Sequence, residues 1–468
     1  MTLIVGLTIL GAAAYVVWRK VEVRLVLLCA ALSLAAAAGV DHVLHVEPNS
    51  TRNQIGAAFW LPLAQVLRKL LTTFSDEKYV VPICAAMGFA FVLRATECDQ
   101  HLVRLLIRPF RSVKPLLVPA TIIIGFLVNI PLISQTSTTV AVGTVLVPLL
   151  RAARLRPLTI ASALVLGASL GGELLNSAAP ELRSVAEALS KTIPDASAHK
   201  CVVRVLPLIL PHLLVATVVF WVQSWYADRD WKPQDAPTDS TATNSINLLK
   251  AVVPFIPLVI LVLTSPPLNI IQIPKSWLVA NIDNKAELSA FESRMIGAAM
   301  LIGVAAAALT DLKKFRDVAR TFFEGAGYGF THIIGLIVAA SCFGEGIKQI
   351  GLDKHLSKLI GIAPELLVPL ATILPLCFGL LSGSGMAATQ SVYPFFVEPI
   401  QAAGADPFHV GAVVAIGAAG GRTASPVAAV TFMASNMTDT NPFEIAKRVI
   451  LPILAGLIVT TALAIILK

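Results

Sequence analysis

The sequence predicts an all-α polytopic membrane protein built as two inverted repeats. Each repeat has about five transmembrane helices, one re-entrant hairpin and a helix broken at the membrane midplane. Three observations carry this prediction. Hydrophobic residues make up 56% of the 468 positions and charged residues only 14%, a balance far from that of a soluble domain. Segments of the first half return roughly 250 residues later: DQHLVRLL at 99–106 as DKHLSKLI at 353–360, LLVP at 116–119 as LLVP at 366–369, and GGELLNS at 171–177 as GGRTASP at 420–426. The last pair places a double glycine, a charged residue and a Ser/Pro step inside apolar segments that would otherwise read as unbroken spans. Duplicated, interrupted hydrophobic segments are the mark of a secondary transporter with its site at the repeat interface.

The polar stretch YADRDWKPQDAPTDSTATNSIN divides the chain into a first repeat at 1–225, a cytoplasmic linker at 226–247 and a second repeat at 248–468. Apolar runs long enough to cross about 30 Å of hydrocarbon lie near 2–18, 23–40, 79–96, 157–180 and 202–224 in the first repeat. Those of the second lie near 248–266, 293–310, 321–343, 407–434 and 449–467. No positive residue precedes the first run, whereas Arg19 and Lys20 follow it, so it reads as a retained span and not a cleaved signal. The stretches 114–152 and 362–402 are each too long for one span and carry a polar centre, SQTSTT at 134–139 and SGSG at 382–385. An apolar arm, a polar tip and a second apolar arm predict a hairpin that enters the membrane and returns, as irregular backbone can where protein or a water-filled cavity covers it. Ahead of each hairpin, 99–112 and 353–361 read as amphipathic interfacial helices, with His101 and His355 at matching surface positions.

Basic residues give the orientation. Arg19, Lys20 and Arg24, then Arg104, Arg108, Arg111 and Lys114, then Arg151, Arg154 and Arg156 mark cytoplasmic loops in the first repeat. The counterpart of RAARLRP at 151–157 is QAAGADP at 401–407, without a positive charge, and the second repeat is basic at Lys313, Lys314, Arg316 and Arg320 and at Lys447 and Arg448. With five spans and a hairpin per repeat, the halves sit upside down relative to each other and both termini lie outside. The net charge of +8 is thereby placed in short loops, so nucleic acid is not an expected partner. The six cysteines form no CxxC pair and read as small residues of the helix core.

A helix that stops in mid-membrane exposes unpaired backbone groups and half of its macrodipole. The N-terminal end of the next half-helix suits an anion, and the C-terminal carbonyls suit a cation. At the second break Gly420 and Gly421 are expected to loosen the backbone, Ser425 to cap the next helix and Pro426 to open it. At the first, Gly171 and Gly172 precede the cap candidates Asn176 and Ser177, then Pro180 and Glu181. An arginine inside an apolar segment must face the bundle interior and be paired. Arg422 is such a residue, and its fork matches a carboxylate bidentately. Glu173 holds the corresponding place in the first repeat. The two can form a structural ion pair, or Arg422 can receive substrate while Glu173 serves coupling. The candidate substrate-binding set is Ser134, Thr136, Ser137, Asn176, Ser382, Gly383, Ser384, Arg422, Thr423 and Ser425, and the coupling candidates are Glu173 and Ser177. A pocket of this kind suits a small carboxylate. No HExxH pattern and no pair of aspartates in facing spans supports an intramembrane enzyme. No metal site and no cofactor is expected beyond coupling to Na+ or H+.

The tip SGSG at 382–385, GRTASPV at 421–427 and NPFEIAKRVILPILAGLIV at 441–459 together resemble the anaerobic C4-dicarboxylate carrier (DcuC-like) family of the ion transporter superfamily. The resemblance runs along nearly the whole chain, more weakly in its first half. The family's small-residue tip corresponds to SQTS at 134–137, and its first break corresponds to NSAAPE at 176–181. There the chain departs from the pattern: Ala178 and Ala179 stand where the family has hydroxyl residues, and Glu181 stands for an aspartate. The resemblance implies transport of succinate, fumarate or malate across a bacterial inner membrane, by exchange or cation-coupled symport. A sodium/proton antiporter and a carrier of another carboxylate or an amino acid are the alternatives. The expected partners are a small dicarboxylate and the lipid bilayer, and long apolar helix faces leave a homodimer open.

Cysteines introduced at Ala153 and Ala403 are expected to react with a membrane-impermeant thiol reagent from opposite sides of the membrane. Labelling of both from one side would contradict the inverted arrangement.

Overall fold

The computed structural model describes residues 2–19, 21–45, 51–110, 116–190, 192–193, 196–229, 246–264, 270–280, 287–288 and 290–467. The first half contains Thr2–Trp18 (α1), Val23–Leu44 (α2), Arg52–Phe74 (α3), Glu77–Ala95 (α4), Cys98–Ile107 (α5), Leu117–Leu132 (α6), Gln135–Ala152 (α7), Pro157–Ser169 (α8), Pro180–Leu189 (α9) and Ala198–Ala227 (α10). The second contains Leu248–Val252 (α11), Ile256–Thr264 (α12), Phe291–Thr310 (α13), Val318–Gly329 (α14), Gly335–Gln349 (α15), Leu352–Ile362 (α16), Leu367–Ser382 (α17), Gly385–Val392 (α18), Val397–Ala402 (α19), Pro407–Ala424 (α20), Ala429–Thr438 (α21) and Pro442–Ile466 (α22). Among the described residues there is no strand, and nine helical segments are long and apolar enough to cross a membrane. The protein is a multi-pass membrane protein. The middle of the expected linker, 230–245, and the charges Lys20, Arg111 and Lys114 lie outside the described residues.

Helices α6 and α7 pack on each other as one hairpin, and α17 and α18 as the other. The two broken segments sit deepest. Pro157–Leu189 and Pro407–Thr438 are 89% and 83% buried along their most apolar windows, against 39% for α10 and for α22. Helix α10 accordingly buries Val205, Leu208, Ile209 and Phe220 and exposes Leu206, Leu210, Leu214 and Trp221, an outer face suited to lipid. The main core joins α6, α8, α9 and α10 to α20 and α22, and a second apolar cluster joins α2, α3 and α15.

Small residues let hairpin arms and broken helices meet backbone to backbone, the usual device where lipid removes any hydrophobic drive between helices. In the first half Gly167 lies against the Thr121 carbonyl and Gly172 against the Phe126 carbonyl. In the second half Gly417 lies against the Thr372 carbonyl and Gly421 against the Leu376 carbonyl. The duplication seen in the sequence is thus also a duplication of packing contacts.

Several expectations are corrected. Helix α3 was not foreseen, because Arg52, Arg68 and Lys69 interrupt its apolar pattern. It lies along α2 and α15, with Phe74 edge-on to Phe330 at 5.2 Å. Gly420 and Gly421 do not loosen the second break. Helix α20 runs unbroken through them to Ala424, and they serve close approach to α22 and α17. The break falls after them, where Ser425 ends α20 as its C-cap and Ala428 precedes α21, so neither Ser425 nor Pro426 starts the next helix. Asn176 and Ser177 likewise do not cap α9. Ala179 precedes it, and Pro180 takes the first helical position as expected. Finally, His101 is not a surface histidine. It is buried, and its Nδ1 accepts the Asn247 amide at 3.2 Å, whereas His355 is exposed.

A Cβ at Gly421 would strike the Leu376 carbonyl oxygen, whereas one at Gly327 would meet nothing. Gly421→Ala is therefore expected to lower the melting temperature of the detergent-purified protein, by a strain of about 1–3 kcal/mol. Gly327→Ala should leave it level or raise it slightly through helix propensity. Equal behaviour of the two variants would contradict the assigned packing.

Candidate functional site

The two halves meet at Arg422. Its position near the end of α20, held against α17 by Gly417 and Gly421, directs the guanidinium across to the first broken segment. There Nη2 pairs with Glu173 Oε1 at 2.6 Å and donates to the Ser169 carbonyl at 2.8 Å. Nη1 pairs with Glu181 Oε1 at 3.1 Å, and Nε donates to Ser169 Oγ at 3.0 Å. All three charged side chains are buried, Glu173 completely. The second oxygens, Glu173 Oε2 and Glu181 Oε2, are buried without a hydrogen-bond partner. An unpaired buried carboxylate oxygen is costly, and these two oxygens leave acceptor capacity unused in this corner.

The first break owes its shape to Gly171, whose φ of +115° favours a residue without Cβ. It turns the chain out of α8 into a short 3-10 segment at Gly172–Leu175 that carries Glu173. Asn129, from the first arm of hairpin one, accepts the Glu173 amide at 3.1 Å and donates to Thr138 Oγ1 at 3.3 Å. Asn176 donates to the Ile130 carbonyl at 2.9 Å, and its own Oδ1 takes the Ala178 amide at 3.0 Å. The break is therefore pinned to the hairpin by side-chain amides.

The hairpin tips converge on the same place with the same grammar. Each turns on a residue of positive φ, Ile133 at 52° and Gly383 at 69°, followed by a serine that caps the returning helix. Ser134 Oγ accepts the Ser137 amide at 3.3 Å and Ser384 Oγ the Ala387 amide at 3.2 Å. A β-branched residue such as Ile133 in that conformation is strained, the kind of feature that clusters at functional sites. Beyond the capping serines, the first amides of α7 and α18 have no partner within their own helices. Together with the positive ends of two helix dipoles they form a seat for negative charge. Gly385 lies so close to Arg422 that a Cβ there would be 2.9 Å from Nη1.

A cavity of about 260 Å³ opens over this corner. Ser134, Gln135 and Thr136, Gly383, Ser384 and Gly385, and Arg422 and Glu181 all line it. Of the residues singled out from sequence, Ser134, Thr136, Gly383, Ser384 and Arg422 thus come together around one space, and Glu173 stands directly behind them. Others serve elsewhere. Ser137 gives its amide to the cap, and Ser382 Oγ takes the Ser384 amide at 3.2 Å while lining a separate, apolar cavity with Leu27 and Phe343. Thr423 Oγ1 lies 2.7 Å from the Ser169 carbonyl and fastens α20 to α8. Ser425 Oγ takes the Val427 amide at 3.3 Å within the second break. Asn176 and Ser177 are buried in the first break and do not line the cavity. Glu181, named from sequence only at the first break, and Ser169, Asn129, Gln135 and His332 were not among the candidate site residues. Glu181 carries the signal that singled out Arg422, an ionisable residue inside an apolar segment, whereas Ser169 and Asn129 carry none.

A profile of the C4-dicarboxylate anaerobic carrier family matches residues 1–468. An uncharacterised transporter of Haemophilus influenzae is 32% identical over 208 residues, covering 43% of this chain and 67% of that one. A Vibrio cholerae protein named "Probable anaerobic C4-dicarboxylate transporter DcuC" is 24% identical over 475 residues, 98% of this chain and 96% of its own. The solved structure of Neisseria gonorrhoeae MtrF, described as illuminating a class of antimetabolite efflux pumps, aligns with a TM-score of 0.64 at 15% identity, covering 95% of this chain and 94% of that one. The YdaH transporter of Alcanivorax borkumensis aligns with a TM-score of 0.59 at 15% identity, over 94% of this chain and 97% of that one. These two show a shared fold. The chain is a transporter, not an enzyme, and belongs to the C4-dicarboxylate anaerobic carrier family.

Proposed function

We propose that the protein moves a small dicarboxylate such as succinate, fumarate or malate across a bacterial inner membrane, by exchange or by symport with Na+ or H+. The observation that carries this reading is a single arginine set beneath two hairpin tips, with two buried carboxylates behind it. One substrate carboxylate would sit against Arg422 Nη1 and the open amides at the starts of α7 and α18. Glu173 and Glu181 would take the coupling cation on their unpaired oxygens. Ser134, Thr136, Gly383 and Ser384 would line the substrate, while Asn176, Ser177, Thr423 and Ser425 would hold the breaks in shape.

In this reading the repeats are inverted, with boundaries at 1–225 and 248–468. The paired contacts of α6 with α8 and of α17 with α20 support that symmetry. Alternating access would follow from moving tips and breaks together relative to α2–α4 and α13–α15. A second reading, a sodium/proton antiporter with Glu173 as ion carrier and Arg422 as its structural partner, is favoured by the same two unpaired oxygens.

Uptake of labelled succinate into proteoliposomes, with succinate, citrate, lactate and arginine as competitors and with or without sodium, tests the proposal. Strong competition by succinate alone is expected, and absence of any succinate uptake or exchange would refute it. Glu173→Gln and Glu181→Gln should each abolish the stimulation of uptake by an imposed sodium or proton gradient. Unchanged stimulation in both variants would contradict the coupling role. Loss of ion exchange in Glu173→Gln without any dicarboxylate dependence would select the antiporter.

A further inference from the structure

Opposite the hairpins, the long helix of α14 and α15 is interrupted by one π-helical turn, Phe330–Ile334, closed by the Gly335 amide on the Phe330 carbonyl. Such turns are energetically poor and concentrate at functional sites. This one is held in place from several sides. Arg24 of α2 donates to the Thr331 carbonyl at 2.7 Å, and Gly335 leaves room for that side chain to lie alongside. Phe74, at the end of α3, packs edge-on to Phe330, and Met87 of α4 packs against Gly329. On the cavity side the turn presents His332, whose ring stacks on Tyr328 with centroids 4.0 Å apart and planes 17° from parallel. His332 Nδ1 lies 3.1 Å from the Tyr328 carbonyl, which can only accept, so Nδ1 carries the proton and Nε2 remains for a ligand.

His332 and Tyr328 line the same cavity as Arg422, Glu181 and both hairpin tips. Among its described lining side chains, only Arg422 and His332 can carry positive charge. The charge of Arg422 is already shared between Glu173 and Glu181, so a dianion seated there needs a second donor for its far carboxylate. Arg422 belongs to the hairpin and broken-helix core, and His332 to the helix packed on α2 and α4.

We infer that His332, displayed by the π-turn and braced by Tyr328, binds the second carboxylate of the substrate, so that a dicarboxylate bridges the two parts of the molecule. This inference rests on the proposed dicarboxylate function. It makes His332 the residue that separates dicarboxylates from monocarboxylates of the same length. In the bridged state one proton lies between Nε2 and the carboxylate oxygen, donated by an imidazolium or retained by the substrate.

The test compares succinate with its monoamide in proteoliposomes containing wild type, His332→Gln, His332→Asn or His332→Lys. Wild type is expected to prefer succinate. In the Gln and Asn variants KM for succinate should rise about tenfold, as for loss of a charged hydrogen bond. Their maximal rate should hold and the preference over the monoamide should disappear, while the Lys variant should retain the preference. Succinate transport with the preference intact in the Gln and Asn variants overturns the inference and leaves the dicarboxylate function standing. Absence of succinate transport in wild type removes both.

Discussion

The structure depends on one buried interaction, the guanidinium of Arg422 held between Glu173 and Glu181. Buried ion pairs are weak evidence for stability, since desolvation offsets much of their attraction. Removing one partner is nonetheless expensive, about 3–5 kcal/mol, because it strands the remaining charge. Both the breaks and the glycine contacts are arranged around this fact. Gly171 turns Glu173 inward, Pro180 starts the helix that carries Glu181, and Gly417 and Gly421 bring α20 close enough for Arg422 to reach across. With one cation and two carboxylates, the cluster has acceptor capacity left over. In the proposed function that surplus would take a proton or metal cation beside the substrate.

The hairpin tips supply what the cluster lacks. Ser134 and Ser384 cap α7 and α18 so that two helix N-termini face one cavity. Their free amides donate without bringing counter-charge, which suits a carboxylate beside an arginine that is already neutralised. The strained Ile133 and the left-handed Gly383 occupy equivalent places in the two tips. Matching turns with different side chains give a site whose halves correspond in position and differ in chemistry, as Glu173 and Arg422 also do.

Much of this was legible in the sequence, because membrane burial enforces simple rules. Spans, hairpins and the pair 173/422 follow from apolar length, polar tips and an arginine where none belongs. The positions of the breaks were less legible. GGRTASP reads as a loosened backbone, yet Gly420 and Gly421 are helical and serve packing, a role that depends on the partner helix and not on local propensity. Glu181 was visible as an ionisable residue inside an apolar segment, but its place just after Pro180 also suits a charge that stabilises a helix start. Helix α3 and the π-turn were invisible. The first carries surface charges within its apolar pattern, and the second is fixed by Arg24, Phe74 and Met87 from three other helices.

The measurement that reaches the central claim most directly is labelled succinate uptake by Arg422→Ala and Arg422→Lys in proteoliposomes, with monodispersity and insertion verified for each. If Arg422 receives the substrate at Nη1, both variants still insert, with a lowered melting temperature in Arg422→Ala, where two buried carboxylates lose their counter-charge. Uptake is then abolished in Arg422→Ala and remains severely impaired in Arg422→Lys, which keeps the charge but not the planar donors. Normal uptake by an inserted Arg422→Ala protein would contradict the account.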